Sequence, residues 1–464
     1  MKRAFLVLLV AGCTAVGPDY RRPEIELPAQ YPSPSAQGEI SLSPEWWKLY
    51  SDATLDALVA SARERNADIR LAAARVREAE GVLREAGAAL YPDVAGGYSA
   101  TRSKVSSRTS PPPQAGAPLE RSQHGLSAST SFELDFWGRL ARTGEAAQAN
   151  LLASRFSRDV LALTLAGATA QAYFALRSLD AQIAVLDKSL QARRDSLAIA
   201  RARLEAGLAS ELDVHQAEGA AADAAAQRRD AGRQRAAVEH QLGQLAGRLD
   251  LKVPPADLFA LPLPPVPPPG LPSALLERRP DIFSAEQSLV AANAQIGVAR
   301  AALFPAISLT ASLGAQSAEL ANLLSSGAGI WSLGLGVAAP IFDAGRREAR
   351  VEQADARREQ ALAAYRRSIE TAFREVADAL VNVEESAGAE SDLEARLRAA
   401  RNALELSSLR YESGYSPYLE VLDAQRTAND AELAFVRNRQ ARLAFSVDLM
   451  KALGGGWNRN SGSE

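Results

Sequence analysis

The side chains available for covalent or metal chemistry are few. One thiol, Cys13, and three imidazoles, His124, His215 and His240, serve a chain of 464 residues. A lone cysteine forms no intrachain disulfide, and the histidines lack the spacing of a metal site. Met1 and Met450 are the only thioethers, too few for a soft copper site. No serine sits in a Gly-x-Ser-x-Gly elbow and no glycine-rich loop is built to hold phosphate. The chain therefore reads as a non-enzyme with no cofactor and no metal. Lys and Arg number 52 against 55 Asp and Glu, a net charge of -3, so no basic field gathers nucleic acid. What remains is a set of acids at helix starts. Ser210 and Asp213 have capping-box spacing. Glu420 and Asp423 follow Pro417 three residues apart, where the helix dipole favours acids but like charges on one face repel. His215, close to Asp213, reads as a wall residue.

Cys13 acquires a role from its neighbours. Lys2 and Arg3 precede an apolar run from Ala4 to Val10, and Leu9, Val10, Ala11 and Gly12 stand immediately before the cysteine. This is a short, cleavable export signal. It resembles a bacterial lipobox, so residues 1–12 are expected to be removed and Cys13 to become an acylated first residue, anchored by buried methylenes. Thr14 follows rather than Asp, which by resemblance to sorted lipoproteins favours the outer membrane. Beyond the signal no stretch approaches the ~20 consecutive apolar residues of a transmembrane helix, so any crossing must use β-strands.

The elements that must position the acids come in duplicate. Asp68, Ile69, Tyr91 and Pro92 recur at one constant offset as Asp281, Ile282, Phe304 and Pro305. Gly138-Arg139, Arg203, Gly207, Leu212 and Gly247 recur at a second as Gly345-Arg346, Arg410, Gly414, Leu419 and Gly454. The spacing divides the chain into an N-terminal segment (13–65), a first repeat (66–250), a linker (251–275), a second repeat (276–455) and a tail (456–464). The linker holds Pro254, Pro255, Pro262, Pro264, Pro265 and more, a density that forbids helix and favours an extended chain.

Each repeat alternates long helices with short strands. An apolar ladder runs from Leu161 through Leu176, Leu186 and Leu197 to Leu204, interrupted by Arg193 and Arg201. Its step of about 3.6 residues is that of a nearly straight helix. The pattern predicts helices over Arg139–Ala206 and Arg346–Glu412, each roughly 100 Å long. Between Pro92 and Gly138, Leu126, Ala128, Thr130, Phe132 and Leu134 alternate with Ser127, Ser129, Ser131 and Glu133. Leu309 to Leu313 and Leu333 to Ala339 alternate likewise, Val94 to Arg102 does so more weakly, and Ser103 to Glu120 reads as a surface loop. Each run has the ~9 to 11 residues of a membrane strand. Four strands cannot close a barrel alone, and open edges are not tolerated in lipid. Two chains would give a filled eight-stranded barrel, whereas three leave a lumen.

The lipobox, Gly17-Pro18-Asp19-Tyr20-Arg21-Arg22-Pro23, the Trp46-Trp47 pair, Leu275-Leu276-Glu277-Arg278-Arg279-Pro280-Asp281-Ile282 and the paired Gly-Arg strand ends resemble the NodT-type branch of the TolC-like outer-membrane factors, across nearly the whole chain. The resemblance implies a mainly α fold with a β-barrel part. In such a homotrimer a long periplasmic helical barrel is joined to a twelve-stranded outer-membrane barrel, four strands per protomer. It implies the passive exit duct of a tripartite efflux system for drugs or other small molecules. The partners implied are a periplasmic adaptor, an inner-membrane pump of the resistance-nodulation-division type and outer-membrane lipid. A type I protein-secretion duct has the same shape, and a non-transporting lipid-anchored scaffold would not need the amphipathic strands. The same resemblance places periplasmic tips at Gly207 and Gly414 and aligns Asp213, Tyr411, Glu420 and Asp423 with residues that constrict the closed channel. Where the best-known relatives carry a basic latch residue, this chain has Ser416. Capping alone would also account for Asp213, the helix start for Glu420 and Asp423, and seam packing for Tyr411.

Cys13→Ser should abolish metabolic labelling with palmitate while leaving the strands intact, so efflux should weaken rather than vanish. Label persisting on the variant would exclude Cys13 as the acylation site.

Overall fold

The structure, a computed structural model, describes residues 15–28, 30–31, 42–270 and 272–458. The export signal, Cys13 and the end of the tail lie outside the described residues. Eleven principal elements follow in chain order: α1 (Ala53–Arg65), α2 (Ala67–Ala88), β1 (Asp93–Lys104), β2 (Glu120–Leu134), α3 (Arg139–Glu205), α4 (Glu211–Leu245), α5 (Pro280–Ala301), β3 (Ala306–Ser317), β4 (Gly329–Ala338), α6 (Arg346–Glu412) and α7 (Tyr418–Ala452). The duplication appears as matched lengths: α3 and α6 have 67 residues each, α4 and α7 35 each, and α2 and α5 22 each. Two compact units share the chain, one of residues 1–24, 76–154 and 285–365, the other of residues 25–75, 155–284 and 366–464.

The first unit holds a four-stranded antiparallel sheet in the order β1-β2-β3-β4, so each repeat gives one hairpin and β2 pairs with β3 across the repeats. The register sorts most side chains by face. Val94, Leu126, Leu309, Leu313, Trp331, Leu333, Leu335 and Val337 share one face, and Ser99, Ser127, Ser129, Ser131, Ser308, Ser312 and Ser332 the other. On the apolar face Leu313, Leu333, Leu335 and Trp331 are 67%, 68%, 66% and 81% exposed, a density of bare hydrocarbon that water does not tolerate but lipid does. The strands run to 12, 15, 12 and 10 residues. The first three thus outrun the 9 to 11 read from the alternation, because ladder pairing continues through polar side chains to Lys104 opposite Glu120. Ser103, Lys104 and Glu120, expected in the loop, belong to the strands, whereas Ala339 falls just beyond β4.

The segment after the lipobox is stitched to the same unit. Gly17, at φ +112°, lies against Gly297, and a Cβ there would meet the Gly297 backbone. Asn293 donates to the Pro18 carbonyl at 2.8 Å and Arg142 pairs with Asp19 at 2.7 Å. Glu286 accepts from the Tyr20 hydroxyl at 3.1 Å and from Arg22 Nε and Nη2 at 2.7 and 2.5 Å. These contacts supply a physical reason for Gly17, Pro18, Asp19, Tyr20 and Arg22.

In the second unit Trp46, Trp47 and Tyr50 fill the core with Phe174, Leu443 and Val447, and the Tyr50 hydroxyl bonds Ser446 Oγ at 2.7 Å. One stretch of α3 is long and apolar enough by composition to cross a membrane, although the helix holds no run of ~20 consecutive apolar residues. Ala166, Ala170, Tyr173 and Phe174 of that helix are buried in this core, which accounts for the apolar composition. Arg279 of the second repeat's opening motif is buried between Asp281 and Glu375, each at 2.7 Å, and donates to the Ala452 carbonyl.

The proline-rich linker is extended but bound. Leu251, Val253, Leu258 and Leu261 enter the core, and ionic groups hold the backbone between them. Arg177 donates to the Pro254 carbonyl at 2.7 Å, Arg235 to that of Val253 at 2.7 Å, and Asp180 accepts from both arginines at 2.8 and 2.6 Å. Glu239 accepts from the Val253 N–H at 2.9 Å and from Lys252 at 3.2 Å. Burial pushes the Glu239 carboxyl upward, but the Val253 N–H, Lys252 and Arg235 outweigh it and hold the group below its ordinary range. A depressed carboxyl contributes stability that is whole above its unfolded value of 4.5 and is lost as pH falls through the lower folded value. Glu239→Gln should therefore lower the thermal midpoint at neutral pH, by the equivalent of about 2 kcal/mol. The gap should begin to shrink as pH falls below 4.5 and close once pH is under the lower folded value. A gap that persists in acid, followed by circular dichroism, would show that shape rather than charge holds the linker.

Candidate functional site

The helical tips are built by two copies of one turn. At the end of α3, Gly207 takes φ +71°, its N–H donates to the Leu204 carbonyl at 2.9 Å and the Leu208 N–H to that of Arg203 at 2.8 Å. At the end of α6, Gly414 takes φ +78° with the matching bonds, Gly414 to Tyr411 at 3.0 Å and Tyr415 to Arg410 at 2.8 Å. Both are Schellman closures, and both need a residue at ease with positive φ. The chain then re-enters a helix within a few residues, so each long helix doubles back into a shorter one.

The first turn is capped as its spacing predicts. Ser210 and Asp213 form a capping box in which Asp213 Oδ2 accepts from the Ser210 N–H at 3.1 Å and its hydroxyl at 3.0 Å, while the Asp213 N–H donates to Ser210 Oγ at 3.3 Å. The second turn opens on Pro417 with no side-chain cap. Its acids go elsewhere. Glu420 pairs with Arg410 at 3.0 Å, linking the last turn of α6 to the first of α7, and Asp423 pairs with Arg426 at 2.8 Å along its own helix. The like-charged pair expected from the sequence is thus separated into two ion pairs, each with one arginine. His215 is exposed on α4, with Nδ1 3.8 Å from Glu218.

Between the two tips lies a small apolar core of Ala200, Ala217, Tyr418 and Val421, with Leu197, Val214, Leu422 and Tyr411 against it. The Tyr411 ring sits 5.5 Å from that of Tyr418, and the Arg203 guanidinium lies over it at 4.4 Å from its centroid. Arg203 also donates to the carbonyls of Tyr411 and Glu412 at 3.2 and 3.1 Å, which neutralises the exposed carbonyl end of α6. The Tyr411 hydroxyl and Ser416 Oγ are buried without a hydrogen-bond partner. Within the protomer Tyr411 is held by its ring. Burial raises the Tyr418 phenol and keeps it neutral. Sequence reading missed the three arginines as site residues. The three-residue step from Asp423 to Arg426 was visible, but the contact of Arg203 with Tyr411 joins the two repeats and leaves no local signal.

The second functional surface is the polar face of the sheet. Ser312 and Ser332 bond each other at 2.8 Å and Thr310 bonds the Gly334 carbonyl at 3.4 Å, so the face is hydroxylated. With bare hydrocarbon on the reverse face, the sheet is the wall of a membrane pore.

The sequence pattern of the outer membrane efflux proteins matches residues 58–248 and 271–455. The chain belongs to the outer membrane efflux protein family. It is 35% identical to the solvent efflux pump outer membrane protein SrpC of Pseudomonas putida, over 98% of this chain and 97% of that one. It is also 35% identical to outer membrane protein OprJ of Pseudomonas aeruginosa, over 98% and 95%. The crystal structure of the open state of the MtrE outer membrane channel of Neisseria gonorrhoeae superposes with a TM-score of 0.86 at 31% identity, covering 96% of this chain and 99% of that one. Member and fold together make this an outer-membrane efflux channel that extends into the periplasm.

The tip geometry separates two roles for Tyr411. Tyr411→Phe removes an unpartnered hydroxyl and should leave resting permeability unchanged. Tyr411→Ala removes the surface on which Arg203 and Tyr418 pack, together worth roughly 1–2 kcal/mol. A shift of that size moves a closed–open balance by about 5- to 30-fold, read as entry of a large antibiotic that normally cannot pass. Equal leak in the two variants would return the role to the hydroxyl.

Proposed function

We propose that three copies of this chain form the passive exit duct of a tripartite efflux pump for small organic molecules, anchored in the outer membrane by strands and by acyl chains on Cys13. What carries the reading is the sheet: four amphipathic strands, one face of hydrocarbon and one of hydroxyls, with open edges at β1 and β4. Three copies supply twelve strands, enough to enclose a water-filled lumen. The hydroxylated face offers no built pocket, so solutes pass without being recognised and no catalytic step is involved. Relatives are named as outer membrane proteins of solvent, toluene and antibiotic efflux pumps, which supports cargo that is small and often apolar.

The two repeats, residues 66–250 and 276–455, each supply one hairpin and one helical tip, with residues 251–275 joining them. The tips are the periplasmic end, where an adaptor joins the duct to an inner-membrane pump of the resistance-nodulation-division type. The aperture is formed by Asp213, Tyr411, Glu420 and Asp423 around the turns at Gly207 and Gly414. In the resting tip Arg410 and Arg426 balance Glu420 and Asp423, and parting α6 from α7 breaks the first of these pairs. Opening thereby exposes carboxylates at the mouth, which attract cations as charged rings do in other pores.

Heat-resistant trimers reconstituted in planar bilayers should conduct. Glu420→Ala with Asp423→Ala leaves Arg410 and Arg426 unbalanced, so selectivity should move toward anions and magnesium block should weaken. Absence of any conductance would overturn the duct. Conductance with unchanged selectivity in the double variant would keep the duct but place its aperture elsewhere on the tips.

A further inference from the structure

Beyond the transport path, the lipid-facing side of the first hairpin carries charges that the duct does not use. In register order along that face, the apolar residues give way to Trp331 and then Tyr98, and Tyr98 bonds His124 Nδ1 through its hydroxyl at 3.0 Å. Past them the same face presents Arg102 and Lys104, with Glu120 directly opposite Lys104. Strand rise puts Arg102 about 13 Å and Lys104 about 20 Å beyond Tyr98. Arg102 lies 2.9 Å from Glu120 and Lys104 4.0 Å, so two cations share one carboxylate. Both remain open, their side chains 76% and 71% exposed. Arg121, in register with Ser103, points to the other face.

Aromatic residues on a membrane barrel mark the level of the lipid headgroups. Because β2 and β4 lead into the long periplasmic helices, the opposite ends of the strands, where Arg102 and Lys104 lie, face outward. With barrel strands tilted about 40°, these cations stand roughly 10–15 Å above the outward aromatic girdle on the lipid side, within the polar layer that holds headgroup phosphates. We propose that Arg102 and Lys104 bind the phosphate of a phosphorylated glycolipid, the anionic lipid of an outer leaflet, with His124 and Tyr98 packing beneath it. The charge argument commits the site to that occupant: one carboxylate for two exposed cations leaves a net positive charge on the lipid side. A guanidinium offers a planar fork and an ammonium a point charge, a combination suited to phosphate. Glu120 competes with the ligand while holding the cations apart from the lumen.

The test uses full-length trimers in detergent, titrated by native mass spectrometry with bisphosphorylated lipid A, and with phosphatidylethanolamine as a zwitterionic comparison. Wild type should retain lipid A in preference to phosphatidylethanolamine. Arg102→Gln with Lys104→Gln should weaken retention on the order of fivefold per cation removed. Glu120→Gln, which removes the competing carboxylate, should strengthen it. Equal retention by wild type and the double variant, or weaker retention in Glu120→Gln, overturns the site. Release of the lipid by millimolar inorganic phosphate also overturns it, since a free anion would then suffice. Conductance in planar bilayers should be the same in all three proteins, which separates failure of this site from failure of the duct.

Discussion

The backbone groups on the outer edges of β1 and β4 set the terms for the rest of the molecule. Within one chain β1 pairs only with β2 and β4 only with β3, so a row of N–H and C=O groups is left on each side. In water such groups bond solvent, but in hydrocarbon each one left unmade costs several kcal/mol. A sheet whose reverse face is Leu313, Trp331, Leu333, Leu335 and Val337 cannot remain in water either. The same four strands are thus unsuited to both solvents until other copies close the edges. Closure also decides what the sheet is for, because only a ring turns a hydroxylated face into a lumen.

Duplication makes that closure compatible with a periplasmic wall. Each repeat contributes one hairpin and one long and one short helix of the same lengths as its twin. The twins then diverge at their tips. Arg203 and Arg410 occupy equivalent places before equivalent glycine turns, yet Arg203 crosses to the carbonyl end of α6 while Arg410 turns to Glu420 beside it. The first ties the two hairpins of a protomer together and the second ties one hairpin to itself. An opening that separates hairpins must break the Arg203 contacts, whereas one that unwinds a single tip must break the Arg410 pair.

Much of this was legible in the chain. The helix from Arg346 to Glu412 ends where its pattern predicts, and that from Arg139 ends one residue short of Ala206, because apolar periodicity and a glycine closure are local signals. The capping box at Ser210 and Asp213 was equally local. Strand ends were misplaced because alternation reports the lipid band, whereas hydrogen bonding continues past it to Lys104. The charge balance at the tips was invisible for a different reason. Glu420 and Asp423 looked like a repulsive pair because helical spacing shows neighbours on one helix, and the arginine that answers Glu420 lies across the turn. The run from Gly17 to Arg22 read as a family signature without a physical reason until Glu286 and Asn293 appeared beneath it.

The placement of charge completes the physical account. The lumen face of the sheet carries hydroxyls over most of its length, and its few ionic groups lie toward the ends of the strands, as with Glu133 paired to Arg139. In the second unit buried ions hold backbone rather than solute: Arg177, Asp180, Arg235 and Glu239 grip the linker, and Arg279 sits between two carboxylates. Partly exposed ionic groups gather at the tip, in Arg410 with Glu420 and Arg426 with Asp423. A wide hydroxylated passage exerts little field on a solute, whereas charge near a narrow mouth acts within a Debye length of about 8 Å. On the proposed reading of the tips as the aperture, selection falls to the tip, and the strands need only keep the passage wet.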